Sequence, residues 1–428
     1  MTDTKINILI YVAVLLVLLT AALPLLFTFM PKGTEKLPIL SEADEPSVPI
    51  DAVEEMRAVW IATVNNINFP SKQGLTEEKL AKELDDIVAF ADENGFNTII
   101  FQVRPAADAL YDSELFPASR FVSGKCGVGA DGGFDCLEYL VAAAHEKHIA
   151  VHAWVNPLRV TSGNKTYPQT DLAALPESSP ARQHAECVVA YADGKMYFDA
   201  GQPYVRSLVA AGVKEICENY GVDGIVFDDY FYPYPVDGAV FDDTKTYEEF
   251  GEGMTLADFR RESVNTLVRL CYETVKGVDK SIQFGISPFG IWQNDDGTNG
   301  GSKTRGLEAY DSIYCDALAW VKGGYVDYIA PQIYWSFETE SAPYGELSAW
   351  WNDALRDSGV RYYINHGVYR YSDGSMASGE MTKQLATARS LDTYFGSMYY
   401  GYAALRSNDG GVLDEIKEAF ETNIIYLE

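Results

Sequence analysis

From Met56 onward the chain repeats one pattern: a short apolar run rich in β-branched residues, a polar and aromatic loop, and a stretch with apolar residues at helical spacing. The first unit joins an apolar run at Arg57 to Val64 with a helical stretch at Glu77 to Asn94, and Gly95 follows as a C-cap glycine would. Eight such units follow one another. This alternation predicts an α/β fold, and eight units predict a (β/α)8 TIM barrel.

The boundaries of the predicted elements follow from the same pattern. The predicted strands are residues 57–64, 98–103, 150–155, 224–227, 283–287, 325–333, 360–365 and 395–400, and the predicted helices are residues 77–94, 134–147, 204–220, 256–276, 307–321, 344–357, 383–392 and 412–420. A doubly wound open sheet would also alternate strands with helices. No GxGxxG or Walker loop follows any strand, however, and polar and aromatic residues follow every strand end. Both observations favour the barrel.

Two segments precede the barrel. Ile6 to Met30 is uncharged and apolar, long enough to span a bilayer and longer than the apolar region of a cleaved signal. We therefore expect residues 1–30 to form an N-terminal transmembrane helix that anchors the protein, with a cleaved signal peptide as the alternative. Residues 31–55 are acidic and proline-rich without an apolar period, which predicts a flexible linker before a domain at residues 56–428.

Composition narrows the possible partners. The formal net charge is −29, from 62 acidic and 33 basic residues, which argues against nucleic acid because phosphate binding needs clustered Lys and Arg. Five histidines without an HxH or HExxH motif, and six cysteines without a CxxC, predict neither a metal site nor a cofactor. Cys126 and Cys136 flank a glycine-rich loop and are able to pair in an oxidising compartment.

The fourth predicted strand ends in two adjacent carboxylates, in the stretch GVDGIVFDDYFYPYP. Acidic residues directly after an apolar strand are typical of a barrel strand that ends at the catalytic mouth, the face formed by the carboxyl ends of the strands. Because side chains alternate along a strand, we expect Asp228 and Asp229 to face opposite sides of the sheet. Asp228 would share the inward-facing side with Gly224 and Val226. Two diverging acids cannot both serve one glycosidic bond.

The second catalytic acid is therefore expected from another strand. Asp108 and Glu114 follow the second strand, in the motif DALYDSELFP, and Glu338 follows the sixth. In a glycosidase one acid stabilises or attacks the anomeric carbon, and the other, with a raised pKa, protonates the leaving oxygen. The predicted catalytic residues are accordingly Asp228, Asp229, Glu114 and Asp108, with Glu338 as a further alternative.

The remaining strand ends carry amides, arginines and aromatic rings. Eight strand ends that meet at one mouth form a single site, in which flat rings suit pyranose faces and amide or guanidinium groups suit sugar hydroxyls. The predicted substrate-binding residues are Arg104, His152, Trp154, Asn156, Arg159, Tyr230, Ser287, Trp292, Gln332, Tyr334, Trp335, Asn365, His366 and Tyr400. This chemistry predicts a glycoside hydrolase whose partner is a polysaccharide.

Several long motifs, in order, resemble the glycosyl hydrolase-like family 10 over about Met56 to Tyr402. They include RAVWIATVNNINFP, IIFQVRPAADALYDSELFPASRFVSG, AVHAWVNPLRV, GVDGIVFDDYFYPYP, ISPFGIW and YVDYIAPQIYW. The resemblance implies a (β/α)8 glycosidase at the cell surface, in a family whose members are thought to act on peptidoglycan glycan strands stripped of stem peptides. It adds to the expectation of a membrane-anchored, extracytoplasmic enzyme of the cell wall.

The fourth strand also looks like that of the family 18 chitinases, whose DGxDxDxE motif ends in the catalytic Glu. Asp223, Gly224 and Asp228 match the first Asp, the Gly and the last Asp. Val226 replaces the middle Asp, and Tyr230 stands where the Glu would be. The chitinase mechanism therefore does not transfer whole, although Asp228 is placed to orient an N-acetyl group.

Two other functions are compatible with the sequence. A barrel that binds glycan without cleaving it, as a cell-wall sensor, would keep the aromatic residues and need no acid pair. A metal-dependent polysaccharide deacetylase would need metal ligands, which the few histidines disfavour.

Overall fold

The computed structural model describes residues 52–421 and 425–427 of the chain. Eight parallel strands form a closed barrel in which each strand pairs with the next along the chain and the eighth pairs with the first. The strands are β1 (Met56–Ile61), β2 (Thr98–Arg104), β3 (Ala150–Val155), β4 (Gly224–Phe227), β5 (Gln283–Ile286), β6 (Tyr328–Ile329), β7 (Arg361–Gly367) and β8 (Tyr394–Tyr400). The predicted barrel is confirmed.

A helix follows each barrel strand. These helices are α1 (Glu77–Glu93), α2 (Cys136–His145), α3 (Pro203–Asn219), α4 (Leu256–Val278), α5 (Ala317–Gly323), α6 (Tyr344–Leu355), α7 (Glu380–Ala388) and α8 (Val412–Phe420). The connections contain short helical segments at Val64–Asn66, Arg120–Ser123, Asp131–Gly133, Leu172–Ala174, Pro180–Gln183, Ala185–Cys187, Thr244–Phe250, Ala309–Ser312, Val368–Tyr371, Tyr402–Ser407 and Asp409–Gly411. A two-stranded ribbon, Val188–Ala190 with Met196–Phe198, lies between β3 and α3.

Side-chain caps mark the beginning of three of these helices, α2, α4 and α5. The Asp135 carboxylate accepts hydrogen bonds from the backbone N–H groups of Leu137 and Glu138 at the start of α2. The Thr255 hydroxyl accepts one from the Asp258 N–H at the start of α4. These side chains satisfy N–H groups that have no partner inside the first helical turn.

The barrel has two apolar layers because strand side chains alternate. Outward-facing residues pack against the helices in a large core. Inward-facing residues fill the interior as a separate cluster, formed by Met56, Ala58, Trp60, Ala62, Ile100, Trp154, Val226, Tyr328, Ala330, Tyr363 and Met398. The barrel interior is therefore a packed core and not a pore.

The structure corrects two predicted elements. The fifth helix begins at Ala317 rather than at residue 307, because Tyr314 has a φ of 54° and the Asp316 side chain caps a new helix start. The sixth strand is confined to Tyr328–Ile329, since Pro331 has no N–H for the ladder. Beyond Ile329 the chain still pairs with both neighbouring segments, because Gln332 forms isolated β-bridges with Phe289 and with Asn365.

The first described residues belong to the barrel domain. Ala52–Glu54 pairs with Ile425–Leu427, and the buried Glu55 forms an ion pair with Arg389, with 2.6 Å between carboxylate oxygen and guanidinium nitrogen. Residues 52–55, which the sequence assigned to the linker, are thus part of the folded unit. Residues 31–51 and the transmembrane helix predicted at residues 1–30 lie outside the described residues and stay predictions.

Two further expectations concern the described chain. None of the helices described between residues 52 and 421 has both the length and the apolar character needed to cross a bilayer. Cys126 and Cys136, which the sequence allows to pair, are both free thiols, and burial raises the pKa of Cys126 to about 12.

Gly224 on β4 leaves room for a ring inside the barrel. A Cβ atom at this position would lie 2.7 Å from the His152 imidazole. Gly224→Ala should therefore lower the free energy of unfolding by about 1 to 3 kcal/mol through overpacking, measured by urea denaturation. Gly277→Ala, on α4 where an added Cβ meets nothing within 4 Å, is the matched control and should be neutral or stabilising by about 0.5 to 1 kcal/mol. Equal effects of the two substitutions would contradict the packing argument.

Candidate active site

A cavity of about 500 Å³ opens at the carboxyl ends of the barrel strands. Residues on or just after all eight strands contribute to its wall. The lining residues are Trp60, Val64, Asn65, Ile67, Gln102, Trp154, Arg159, Ser162, Lys195, Asp228, Asp229, Tyr230, Tyr234, Phe289, Gln332, Tyr334, Trp335, Asn365, Tyr369, Arg370 and Tyr400. The strand ends thus converge on one site, as the architecture requires.

Asp228 belongs to the wall of this cavity and is only 4% exposed. Its Oδ2 accepts hydrogen bonds from Asn156 Nδ2 at 2.5 Å and from the Trp154 indole N–H at 3.0 Å. Its Oδ1 accepts one from the Tyr230 backbone N–H at 3.2 Å. These three donors hold the carboxyl group in one orientation.

A chain of amides fixes the donor that faces Asp228. The Gln102 side-chain oxygen accepts hydrogen bonds from the Thr63 and Val64 N–H groups, at 2.8 and 2.9 Å. Gln102 Nε2 must then point the other way, and it donates to Asn156 Oδ1 at 2.6 Å. This contact in turn presents the Asn156 NH2 group to Asp228. Backbone groups after β1 therefore determine the orientation of a side chain after β3.

Asp229 is 2% exposed and is held by different partners. Its Oδ2 accepts a hydrogen bond from the Tyr234 hydroxyl, and its Oδ1 accepts one from Gln332 Nε2 at 2.9 Å. The same Gln332 amide donates to the Ser287 carbonyl at 3.0 Å. The end of β5 and the loop after β6 therefore support the second acid.

Both acids have raised pKa values. Burial raises the pKa of Asp228 to about 7, and the neighbouring Asp229 acts in the same direction, while the Arg159 guanidinium lowers it. Burial is also the main cause that raises the pKa of Asp229, against hydrogen bonds from Tyr234 and Gln332 that lower it. Because the charge of Asp229 raises the pKa of Asp228, the two carboxyls do not ionise independently, and ionisation of both is disfavoured.

The two acids share the cavity, which corrects the expectation that they face opposite sides. β4 ends at Phe227, so the alternation that applies along the strand no longer governs Asp228 and Asp229. Among the described residues of the cavity wall they are the carboxylates, and both come from the end of the same strand.

Aromatic rings form much of the remaining wall. Tyr334 and Tyr400 are stacked, with ring centroids 6.0 Å apart and planes 9° apart. Trp154 packs edge-on against Trp60 with centroids 5.0 Å apart, and Phe289 packs edge-on against Trp335 at 5.6 Å. The cavity therefore offers several flat apolar faces next to two carboxyl groups.

Many predicted site residues meet at this cavity. Those in its wall are Trp154, Arg159, Asp228, Asp229, Tyr230, Gln332, Tyr334, Trp335, Asn365 and Tyr400. Two more support the wall from behind. Asn156 holds Asp228, and the Ser287 hydroxyl accepts a hydrogen bond from Asn365 Nδ2 at 3.0 Å.

Asp108 and Glu114 do not line the cavity. Asp108 is buried within its own loop, where it accepts a hydrogen bond from the Ser119 hydroxyl at 2.8 Å, and burial raises its pKa to about 6. Glu114 is exposed, and its backbone N–H binds Glu215 of α3 on the outside of the barrel. Glu338 is exposed as well and lies outside the cavity wall. The structure thus brings no acid from these loops to Asp228.

Arg104 and the two candidate histidines also lie elsewhere. A shift in strand register after Gln102 turns Arg104 outward, where its guanidinium lies 4.1 Å from the centre of the Phe116 ring. His152 is buried inside the barrel with Nδ1 2.9 Å from the Tyr328 hydroxyl. His366 faces the helices, and its ring nitrogens contact Gln384 and Ser397. In the described chain no three His, Cys, Asp or Glu side chains form a potential metal cluster.

Trp292 belongs to a separate aromatic cluster. It is half-buried, stacks on Trp350 with planes 18° apart, and donates its indole N–H to Asp316. It is not part of the cavity wall.

Sequence reasoning missed several residues of the wall. Trp60 could have been predicted, because Ala58, Trp60 and Ala62 alternate along β1 and the residue after it. This pattern places one large side chain between two small ones on the inner face. Lys195 comes from the ribbon between β3 and α3, and Arg370 from the short helix after β7. No periodic pattern in the sequence marks these two cations.

Comparison with known proteins identifies the family of the chain. The family described as glycosyl hydrolase-like 10 matches residues 55–378. Glycosyl hydrolase YngK of Bacillus subtilis (strain 168) is 36% identical over 370 residues, which cover 85% of this chain and 71% of the relative. Glycosyl hydrolase DigH of Escherichia coli (strain K12) is 33% identical over 345 residues, which cover 77% of each chain.

Solved structures show the same fold. The glycoside hydrolase domain of PgaB (BpsB) from Bordetella bronchiseptica aligns with a TM-score of 0.51 at 12% identity, covering 85% of this chain and 98% of that one. At this identity the likeness concerns the barrel fold alone.

The raised pKa of Asp228 predicts how its removal affects stability. Because this pKa, about 7, exceeds the value of about 3.9 in an unfolded chain, the stabilisation of the protonated form is fully present below pH 4 and is lost as the pH rises through 7. The effect of Asp228→Asn on the free energy of unfolding should therefore be more favourable at pH 8 than at pH 4 by about 2 to 4 kcal/mol. Urea denaturation at both pH values measures the difference.

Asp237→Asn, on the exposed part of the loop after β4, is the matched control. It should change stability by less than about 0.5 kcal/mol at either pH. A gain from Asp228→Asn that is equal at pH 4 and pH 8 would show that burial of the charge is not its cause.

Proposed function

This chain belongs to the glycosyl hydrolase-like 10 family, and we propose that it hydrolyses glycosidic bonds of an N-acetylated cell-wall polysaccharide, with peptidoglycan glycan strands as the substrate class. The observation that carries the proposal is the pair of buried carboxyls, Asp228 and Asp229, in a cavity walled by aromatic rings. Rings of this kind bind sugar faces, and acids with raised pKa values protonate leaving oxygens.

Asp228 is the proton donor in this proposal. A carboxyl with a pKa of about 7 still holds its proton in much of the population at neutral pH, which is the condition for general acid catalysis. Asp229 then provides the negative charge of the pair. Its contacts with Tyr234 and Gln332 stabilise the ionised form.

The position of the two acids favours a nucleophile from the substrate. In a usual pair the carboxylates flank the scissile bond, whereas Asp228 and Asp229 both enter from the end of β4. An acetamido group on the sugar would supply the missing nucleophile. Its carbonyl oxygen attacks C1, the C1–O bond to the leaving sugar breaks, and the leaving oxygen takes the proton of Asp228.

Hydrolysis of the resulting oxazolinium ion, which keeps the acetamido N–H proton, completes the reaction. A water molecule adds to C1, the ring opens to restore the acetamido group, and the proton of the water returns to Asp228. The configuration at C1 is retained after two inversions. In this scheme Asp229 holds the acetamido N–H and stabilises the positive charge that develops on the ring.

A second function, glycan binding without cleavage, draws on the same observation. A barrel in which all cavity carboxylates come from one strand end also fits a sensor that binds the glycan through its aromatic wall. Cleavage assays separate the two, because a sensor would retain amidase-treated peptidoglycan in a pull-down without releasing new reducing ends.

Substitution of each acid tests the mechanism. On amidase-treated peptidoglycan, Asp228→Asn and Asp229→Asn should each lower kcat/KM by about 10² to 10⁴-fold, measured from reducing-end products by mass spectrometry. On an aryl N-acetylglucosaminide with a good leaving group, Asp228→Asn should lose far less activity, because that group departs without a proton. Asp229→Asn should lose activity on both substrates.

Asp237→Asn is again the control, because it removes a carboxylate outside the cavity, and it should cleave both substrates at the wild-type rate. The assignment of Asp228 as the proton donor would be overturned if its Asn variant lost equal activity on both substrates. Wild-type protein that releases no reducing ends from any N-acetylated glycan would refute hydrolysis itself.

We also propose that the N-terminal apolar segment anchors the enzyme with its barrel outside the cytoplasm. A protease added to wall-stripped cells should degrade the barrel domain, as followed by immunoblotting with an antibody to that domain. Complete protection of the domain until the membrane is permeabilised would contradict an extracytoplasmic location.

A further inference from the structure

The cavity wall is richer in cationic side chains than the chain as a whole. The formal net charge of the protein is −29. The wall nevertheless contains three cations, Arg159, Lys195 and Arg370, beside the two acids Asp228 and Asp229. A neutral sugar polymer offers no negatively charged group that could pair with these cations.

We propose that the cavity selects a glycan whose sugar carries a free carboxylate, and that Arg159 binds this carboxylate. The inference rests on the proposed function, because it concerns the substrate of the same cavity. It adds a specificity-determining residue, because Arg159 would distinguish a sugar that carries a carboxylate from the neutral sugars of a chitin-like polymer.

The surroundings of the Arg159 guanidinium suit the binding of an anion. It is 7% exposed, and its guanidinium carbon lies 4.4 Å from the centre of the Tyr230 ring. Its Nη1 donates a hydrogen bond to the Pro105 carbonyl at 3.2 Å, while its Nε has no hydrogen-bond partner among the described residues. The ring and the carbonyl hold the planar group in place without neutralising it.

No carboxylate of the described chain lies within ion-pair distance of Arg159. A buried charge without a partner is costly, and it is normally retained where a ligand supplies the partner. A guanidinium fork binds a carboxylate through two parallel N–H donors, which an ammonium group or an amide does not reproduce. A sugar carboxylate next to the scissile bond would therefore complete the site.

The other two cations of the wall differ from Arg159. Lys195 Nζ is 2.7 Å from Asp193, so an internal acid already compensates its charge. Arg370 is half-buried, and its Nε donates to the Ser375 hydroxyl at 2.9 Å. Arg159 is thus the deeply buried cation of the wall that has no acid paired with it in the part of the chain described.

Arg159 also influences the two acids, which gives a competing explanation. Its charge lowers the pKa values of Asp228 and Asp229, so it would assist catalysis even if it never touched the substrate. A role confined to the acids predicts the same loss on every glycan. A role in binding a carboxylate predicts a loss that depends on the substrate.

The test compares two versions of one polymer. Amidase-treated peptidoglycan strands retain the carboxylates of N-acetylmuramic acid, and carbodiimide activation followed by borohydride reduction converts these groups to neutral alcohols. The wild-type protein should cleave the carboxylated strands with a kcat/KM at least about 10-fold higher than the reduced strands. Arg159→Gln should lower kcat/KM on carboxylated strands at least about 10-fold more than on reduced strands, because on reduced strands only its effect on the two acids is lost.

Two further variants guard against a simple folding defect. Arg159→Lys keeps the charge but not the fork, and it should recover part of the preference for carboxylated strands. Arg269→Gln removes a cation that lies over the Tyr325 ring, 5.9 Å from its centre, on the exposed surface of α4. It should leave the preference unchanged.

The inference would be overturned if wild-type protein cleaved both polymers equally, or if Arg159→Gln lowered both rates by the same factor. If the wild-type protein cleaves neither polymer, the proposed hydrolysis is refuted, but a binding measurement still tests whether Arg159 binds the carboxylate. In that case calorimetric titration with the two polymers should show tighter binding of the carboxylated form that Arg159→Gln abolishes, and equal binding would reject the site.

Discussion

The register of the barrel strands is the constraint on which the mouth depends. Val155 of β3 pairs with Phe227 of β4, so the residues that follow them, Asn156 and Asp228, emerge side by side and form a hydrogen bond of 2.5 Å. Gln102 pairs with Trp154 one strand away, which brings its amide to Asn156. A shift of one residue between these strands would separate all three groups. The catalytic geometry is therefore a consequence of backbone pairing.

The same geometry destabilises the fold locally. Removing Asp228 and Asp229 from water disfavours their charged forms, and the donors around them offset this only in part, since both pKa values remain raised. Arg159 and the aromatic rings create a site of low polarity with a fixed positive charge. Such an arrangement is disfavoured without a ligand and becomes favourable when a sugar brings matching groups, which is typical of functional sites.

Much of the fold was predictable from the sequence, because apolar periodicity reports directly on burial. β3 and β4 begin and end where the pattern predicts, as does α8. The order of the strand ends around the mouth follows from the same reading. Asn365 faces the cavity, and its neighbour His366 therefore faces the helices. Alternation along β7 would have allowed this assignment from the sequence.

Other features depend on tertiary structure that local patterns do not contain. The irregular register after Gln102, which turns Arg104 outward, has no sequence signature. The loop carrying Asp108 and Glu114 folds against α3 instead of the mouth, and only its long-range contacts show this. The end of β4 at Phe227 decides that Asp228 and Asp229 share one cavity, and a rule of strict alternation predicts the opposite.

The central claim is that Asp228 and Asp229 act on a glycosidic bond bound at the barrel mouth. A crystal structure of the Asp228→Asn variant with an N-acetylated oligosaccharide tests it most directly. The account predicts a sugar ring between the aromatic walls, with its glycosidic oxygen within about 3.2 Å of the residue 228 side chain and its acetamido group next to Asp229. An oligosaccharide bound only outside the cavity, for example on the Trp292 and Trp350 pair, would contradict it.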